Sequence, residues 1–162
     1  MQVQATVVTG DLNVNALLGA SQWASTGGQP LELTYSFPDA KSVWSMAAGE
    51  YVPGDGWGPQ IGVTVLSDAA KSAVRAALAA WSTVANIDFV ETADNASGHG
   101  TLRFAWTASL VNEQSIAYGP GTIDKAGDIW LNFLAPWDGF APGAYGYSTL
   151  IHEVGHALGL KH

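Results

Sequence analysis

The chain has 162 residues, of which 48% are hydrophobic and 12% charged, so it folds around one core and is not a disordered segment. Its net charge is −8, with six basic residues spread thinly, which argues against nucleic-acid and membrane-surface partners. It has no cysteine, so disulfides and thiolate ligands are excluded and any metal must be held by histidine or carboxylate. A cysteine-free composition suits the cytosol or a bacterial secreted protein. No Lys or Arg precedes Lys41, so a Sec signal with its basic start is not expected. No apolar run approaches the ~20 residues of a membrane span.

Residues 1–30 are polar and glycine-bearing, with one apolar cluster at Ala16, Leu17 and Leu18. They read as a loose N-terminal arm with a helical turn or two, and Trp23 is expected to pack on the body. Gly27-Gly28-Gln29-Pro30 marks a break. Residues 31–37 (LELTYSF) alternate apolar and polar side chains and read as a strand ended by Pro38-Asp39. Residues 38–60 are rich in turn formers, including the run from Pro53 to Gly58. Residues 61–66 are either a short strand or the lead-in to a helix.

That helix is expected over residues 67–85, with Ala70, Val74, Leu78, Trp81 and Val84 forming one apolar stripe. Ser67 is the expected N-cap, and Asp68 suits the positive end of the helix dipole. Residues 87–92 and 101–106 read as two further strands. His99, in the loop between them, is expected to face solvent. Residues 115–118 form a short extended piece closed by Gly119-Pro120-Gly121, and residues 128–133 (DIWLNF) the last strand. A Pro/Gly/aromatic loop follows over 134–146, and Tyr147 or Ser148 opens the final helix. This order of elements suggests a mixed sheet with helices against one face.

The final helix carries the chemistry. Three of the chain's four histidines lie in the last eleven residues, HEVGHALGLKH. His152 and His156 are four apart, about 40° around a helix, so both imidazoles lie on one face. Glu153 sits beside them, placed to hold a water and not the metal; this is the HExxH zinc-peptidase pattern. His162 lies six residues beyond His156, about 240° around an unbroken helix and facing away. Gly159 resolves this, because glycine accepts the left-handed conformation that ends a helix and turns the chain back. HExxH alone arises by chance in roughly one chain of this size in a few hundred, and the added glycine and histidine lower that several hundredfold.

The chain resembles the serralysins, bacterial zinc proteases of the metzincin group. HEVGHALGLKH matches HExxHxxGxxH, and the flanking Thr149-Leu150-Ile151 is similar as well. So are LTYSFPD at 33–39, AAWSTVANIDFVE at 79–91, and the run from AYGPG to GDIWLN at 117–132. The resemblance implies an α+β fold. It has a twisted five-stranded mixed sheet, four strands parallel and the edge strand antiparallel, with a long helix and a C-terminal active-site helix. It implies zinc held by His152, His156 and His162, with Glu153 as general base. The edge strand would bind protein or peptide substrate by backbone pairing through Ser115, Ile116, Ala117 and Tyr118.

Metzincins continue past the third histidine into a smaller lower half with a Met-turn. The reading is therefore an N-terminal arm over 1–30 and the upper part of a catalytic domain over 31–162, truncated after the third histidine with the lower subdomain missing. In that form the chain is expected to be a weak or inactive protease, with His162 mobile because residues 160–162 lack anything to pack against. The chain is expected to be a monomer; the resemblance implies secretion by a type I route without a Sec signal, and calcium bound through glycine-rich repeats in a longer form. The competing readings are a non-catalytic zinc-binding remnant and a surface module that keeps a protease-like fold.

Overall fold

The computed structural model describes residues 1–25, 29–47, 50–51, 54, 56–109 and 113–162. Gly27 and Gly28 of the expected break, and Pro53 and Asp55 of the turn-rich run, lie outside these residues. The described elements are β1 (Gln2–Ala5), α1 (Leu12–Ala16), β2 (Ser21–Ala24), β3 (Leu31–Ser36), α2 (Asp68–Ser82), β4 (Ile87–Glu91), β5 (Leu102–Thr107), β6 (Ser115–Ala117), β7 (Asp128–Asn132) and α3 (Tyr145–Leu158). A 3₁₀ turn, Pro59–Ile61, interrupts the irregular stretch before α2.

The main sheet has five strands in the order β4-β3-β5-β7-β6. β4, β3, β5 and β7 run parallel, and β6 pairs antiparallel with β7 at the edge. Residues 61–66 form no strand; Thr64 makes a single antiparallel bridge to Trp106, exchanging both backbone hydrogen bonds with it at 2.9 and 3.1 Å.

α2 starts where its cap chemistry says it should: the Ser67 hydroxyl accepts from the Ala70 N–H. It buries Ala70, Ala73, Val74, Ala77 and Leu78, while Trp81 is half-buried. Val84 does not continue the stripe. The helix ends at Ser82, and Val84 is 78% exposed. α2 and α3 lie on one face of the sheet, packing Val74, Leu78, Leu150 and Val154 against Tyr35, Phe104, Trp106, Ile129 and Leu131. Gly155 lets the two helices approach, since a Cβ there would sit 3.2 Å from the Trp81 ring. The Trp81 indole N–H then donates to the Ile151 carbonyl at 3.1 Å.

The opposite face is covered by irregular chain. Trp44, Tyr51 and Trp57 pack there on Ala105, Trp130, Ile116 and Tyr118. β5 and β7 are thus buried on both faces, as interior parallel strands are.

Residues 1–25 are more ordered than a loose arm. β1 and β2 form an antiparallel two-stranded sheet in which Val3 faces Trp23, and Asp11 caps the single-turn α1. Trp23 packs on the body as expected, 6% exposed against Leu33 and Ala126. His99 is not a free loop histidine either. It is partly buried, with Nδ1 2.8 Å from the Gly100 carbonyl and Nε2 3.2 Å from the Asp124 carboxylate.

Candidate metal centre

α3 begins earlier than its own sequence suggests. No side chain at position 144 caps it. Instead the Asp138 carboxylate accepts from the backbone N–H groups of Tyr145 and Gly146, at 3.0 and 3.2 Å. Two orphan donors of the first turn are thereby satisfied by a residue outside the helix. Ser148, a candidate first residue, lies inside the helix and donates its hydroxyl back to the Tyr145 carbonyl at 2.9 Å. At its other end the helix closes at Gly159, whose φ of 110° is left-handed. The Gly159 N–H bonds to the His156 carbonyl and the Leu160 N–H to the Gly155 carbonyl, both at 2.9 Å. These are the paired bonds of a Schellman ending, which turns the chain back across the helix.

That turn brings the third histidine to the other two. The Nε2 atom of His152 lies 2.9 Å from Nε2 of His156 and 3.1 Å from Nε2 of His162. Among the described residues this is the one group of three potential ligands whose donor atoms all lie within 4.8 Å of one another. The His156 tautomer follows from its partner: Nδ1 is 2.9 Å from the Leu160 carbonyl, which can only accept. In the neutral ring the Nδ1–H therefore donates outward, and the Nε2 lone pair faces the cluster. A proton on His152 Nε2 can bridge one of these pairs but not both, so lone pairs are left facing one another, an arrangement that suits a cation. Four ligands at the usual zinc–nitrogen length of about 2.0–2.1 Å stand about 3.3–3.4 Å apart, so the observed spacing fits a tetrahedral divalent ion after small outward shifts. The ligand chemistry, all imidazole and no thiolate, suits zinc.

Glu153 shares a cleft with His152. It is 6% exposed, and its Oε1 accepts from the Ser115 hydroxyl at 2.8 Å. It lines a cleft of about 290 Å³ between β6 and the first turns of α3, shared with Gln114, Ser115, Tyr145, Ser148, Thr149 and His152. One face of one helix thus presents an imidazole and a carboxylate to the same opening. The hydrogen bond from Ser115 to Glu153 has no signal in the sequence, because the two residues are brought together only by the packing of β6 on α3.

The Ser115–Ala117 strand lies at one edge of the sheet and pairs only with β7 among the described residues. The Asn132 N–H donates to the Gln114 carbonyl, the Tyr118 N–H donates to the Asp128 carbonyl, and the Gly127 N–H donates to the Tyr118 carbonyl. Backbone groups alternate along an antiparallel strand, so those of Ser115 and Ala117 point to the open edge while Ile116 and Tyr118 face β7.

Residues 160–162 do have something to pack against. The Gly19 N–H donates to the Gly159 carbonyl at 2.7 Å, and the Lys161 N–H donates to the Leu17 carbonyl at 2.8 Å. The expectation that this stretch packs against nothing is therefore corrected: Gly19 and Leu17 bond to Gly159 and Lys161.

An HExxHxxGxxH helix packed under a mixed sheet with an antiparallel edge strand makes this a metzincin-like chain. Comparison with known proteins narrows the class. No family model matches the chain. A serralysin of Proteus mirabilis is 33% identical over 156 residues, covering 83% of this chain and 28% of that protein. A serralysin of Photorhabdus sp. (strain Az29) is 29% identical over 153 residues, covering 89% and 29%. The metallopeptidase AprA of Pseudomonas marginalis is 29% identical over 150 residues, also covering 89% and 29%. The chain is serralysin-like over most of its length, and it spans less than a third of the length of these relatives.

Proposed function

We propose that this chain supplies the metal-binding and water-activating part of a secreted zinc endopeptidase, with residues 31–162 as the upper part of its catalytic unit and β1 and β2 laid against it. The observation that carries this reading is the convergence of three imidazole nitrogens beside a buried carboxylate, in a chain that is serralysin-like. His152, His156 and His162 would hold the ion through their converging ring nitrogens. Zinc bound there supplies a Lewis acid that polarises the scissile carbonyl and makes a bound water acidic.

Glu153 would take the proton from the attacking water as its oxygen bonds to the carbonyl carbon. It would then deliver that proton to the amide nitrogen as the C–N bond breaks. The Ser115 hydroxyl holds the carboxylate in position for both transfers. A peptide substrate would add as a further strand outside β6, using the outward N–H and C=O groups of Ser115 and Ala117, with Ile116 and Tyr118 fixing the strand on β7. Zinc is the cofactor of this reading; calcium would be bound by a longer form. Among the described residues no helix is long and apolar enough to cross a membrane. The serralysin likeness favours an extracellular, monomeric enzyme exported by a type I route.

Casein hydrolysis by the full-length protein tests the reading. Glu153→Ala is expected to lower turnover by about 10²–10⁴-fold while the zinc content stays unchanged. Unchanged turnover with verified zinc would remove Glu153 from the chemistry. Bound zinc with no cleavage by the unaltered protein would favour the non-catalytic reading.

A further inference from the structure

We propose that residues 17–23 act as a clamp that positions the third metal ligand, so that the metal affinity of the site depends on N-terminal residues more than 130 positions away in the chain. The inference rests on the metal-centre reading above. His152 and His156 are fixed by the helix that carries them. His162 is not, because it follows the break at Gly159. What orients it is a second strand of backbone. Leu18 and Leu160 form an antiparallel bridge, closed by Gly19 N–H to the Gly159 carbonyl at 2.7 Å and Lys161 N–H to the Leu17 carbonyl at 2.8 Å. The residue immediately before His162 is thus held by a main-chain hydrogen bond.

The same bridge reaches a second ligand. The Leu160 carbonyl is the acceptor for His156 Nδ1 at 2.9 Å, so holding Leu160 also holds the ring that presents the His156 lone pair. Two side chains anchor the clamp to the rest of the fold. The Ser21 hydroxyl donates to the Pro120 carbonyl at 2.6 Å. The Trp23 indole N–H donates at 2.8 Å to the carbonyl of Ala157, one of the last in the helix and without an intrahelical donor.

The close approach explains two glycines. A Cβ on Gly19 would lie 2.7 Å from the Gly159 carbonyl oxygen, and one on Gly159 would lie 2.8 Å from the Ser21 carbonyl oxygen. Gly159 is also needed for its left-handed φ, but Gly19 is not among the residues of positive φ. Gly19 is therefore glycine for space alone. A methyl group there would push the two segments apart without straining its own backbone.

The test is a zinc titration by chelator competition on the protein, Gly19→Ala, His162→Ala and the double variant, each with its metal-free thermal unfolding. Gly19→Ala is expected to weaken zinc binding about 10–100-fold, the range for lost outer-shell support of a metal ligand. In a His162→Ala background the same substitution should cost at least about threefold less, because much of its effect runs through His162. A general structural defect would instead cost the same in both backgrounds. Should Gly19→Ala not fold, Trp23→Phe keeps the ring and removes only the N–H donor; a smaller loss with the same dependence on His162 is expected. Unchanged zinc affinity in the clamp variant, or a loss independent of His162, would overturn the clamp. Absence of zinc binding in the unaltered protein would instead remove the metal-centre reading, and the clamp with it.

Discussion

The two faces of the sheet are built on different principles. On one face, Phe104, Trp106, Ile129 and Leu131 pack with α2 and α3 in an apolar cluster. On the other, Arg103, Asp128 and Trp130 of the same two strands meet chain that has no α-helix or strand among its described residues. There the Arg103–Asp94 ion pair is wholly buried at 2.8 Å, and the Arg103 guanidinium lies 3.5 Å over the Trp44 ring. The Tyr51 hydroxyl donates to the Asp128 carboxylate and accepts from the Trp130 indole at 2.8 Å. A helix satisfies its own backbone and can offer a purely apolar surface. Irregular chain brings polar groups that must be paired when buried, and the strands beneath it supply the partners. Only the first face carries the metal centre, so damage to the second should cost stability without touching the metal.

The largest effect is expected from Arg103→Met. It leaves Asp94 buried without its cation, at a cost of about 3–5 kcal/mol, read from urea unfolding. Zinc affinity of the folded fraction should stay within about twofold; a parallel loss would mean that the two faces are not separable. Leu150→Ala makes the contrasting cut. Leu150 is fully buried in the helix that bears His152 and His156, and truncation should cost about 2–5 kcal/mol. Here zinc affinity should fall with stability.

Asp128 gives a smaller effect that depends on pH. Burial pushes its carboxyl well above the usual range, against the opposing Tyr51 hydrogen bond. The folded state therefore keeps this proton to higher pH than the unfolded chain does. Its contribution is fully present below about pH 3.9 and is lost as pH rises toward the folded value, at up to about 1.4 kcal/mol per pH unit. Asp128→Asn removes that dependence. As pH rises above about 4 the variant should gain on the unaltered protein in urea midpoint; a pH-independent difference would show that folding does not raise the Asp128 pKa. The smallest effect belongs to Ser67→Ala, which deletes the α2 cap for about 1 kcal/mol and should leave zinc binding intact.

What could be read from the sequence follows the same division. α2 announces itself through a local cap and a 3.6-residue stripe, and the Gly159 ending of α3 through the offset of His162. Both signals lie within a few residues of what they determine. The sequence puts the start of α3 two or three residues late because its cap, Asp138, stands outside the helix across a loop. β1 and β2 were missed because each is four residues long and gains its order from the other, some twenty positions away. The buried pairs of Arg103 and Asp128 leave no periodic trace at all, since the chain that covers them has no period. The bridge from residues 17–19 to 159–161 is main chain to main chain, and only Gly19 hints at it.

The central claim is that His152, His156 and His162 converge on a single metal ion. Elemental analysis of the protein after exhaustive dialysis without chelator, compared with the His152→Ala/His156→Ala double variant, tests it most directly. About one zinc per chain in the unaltered protein, and close to none in the double variant, is the predicted result. Stoichiometric zinc retained by the double variant would contradict it.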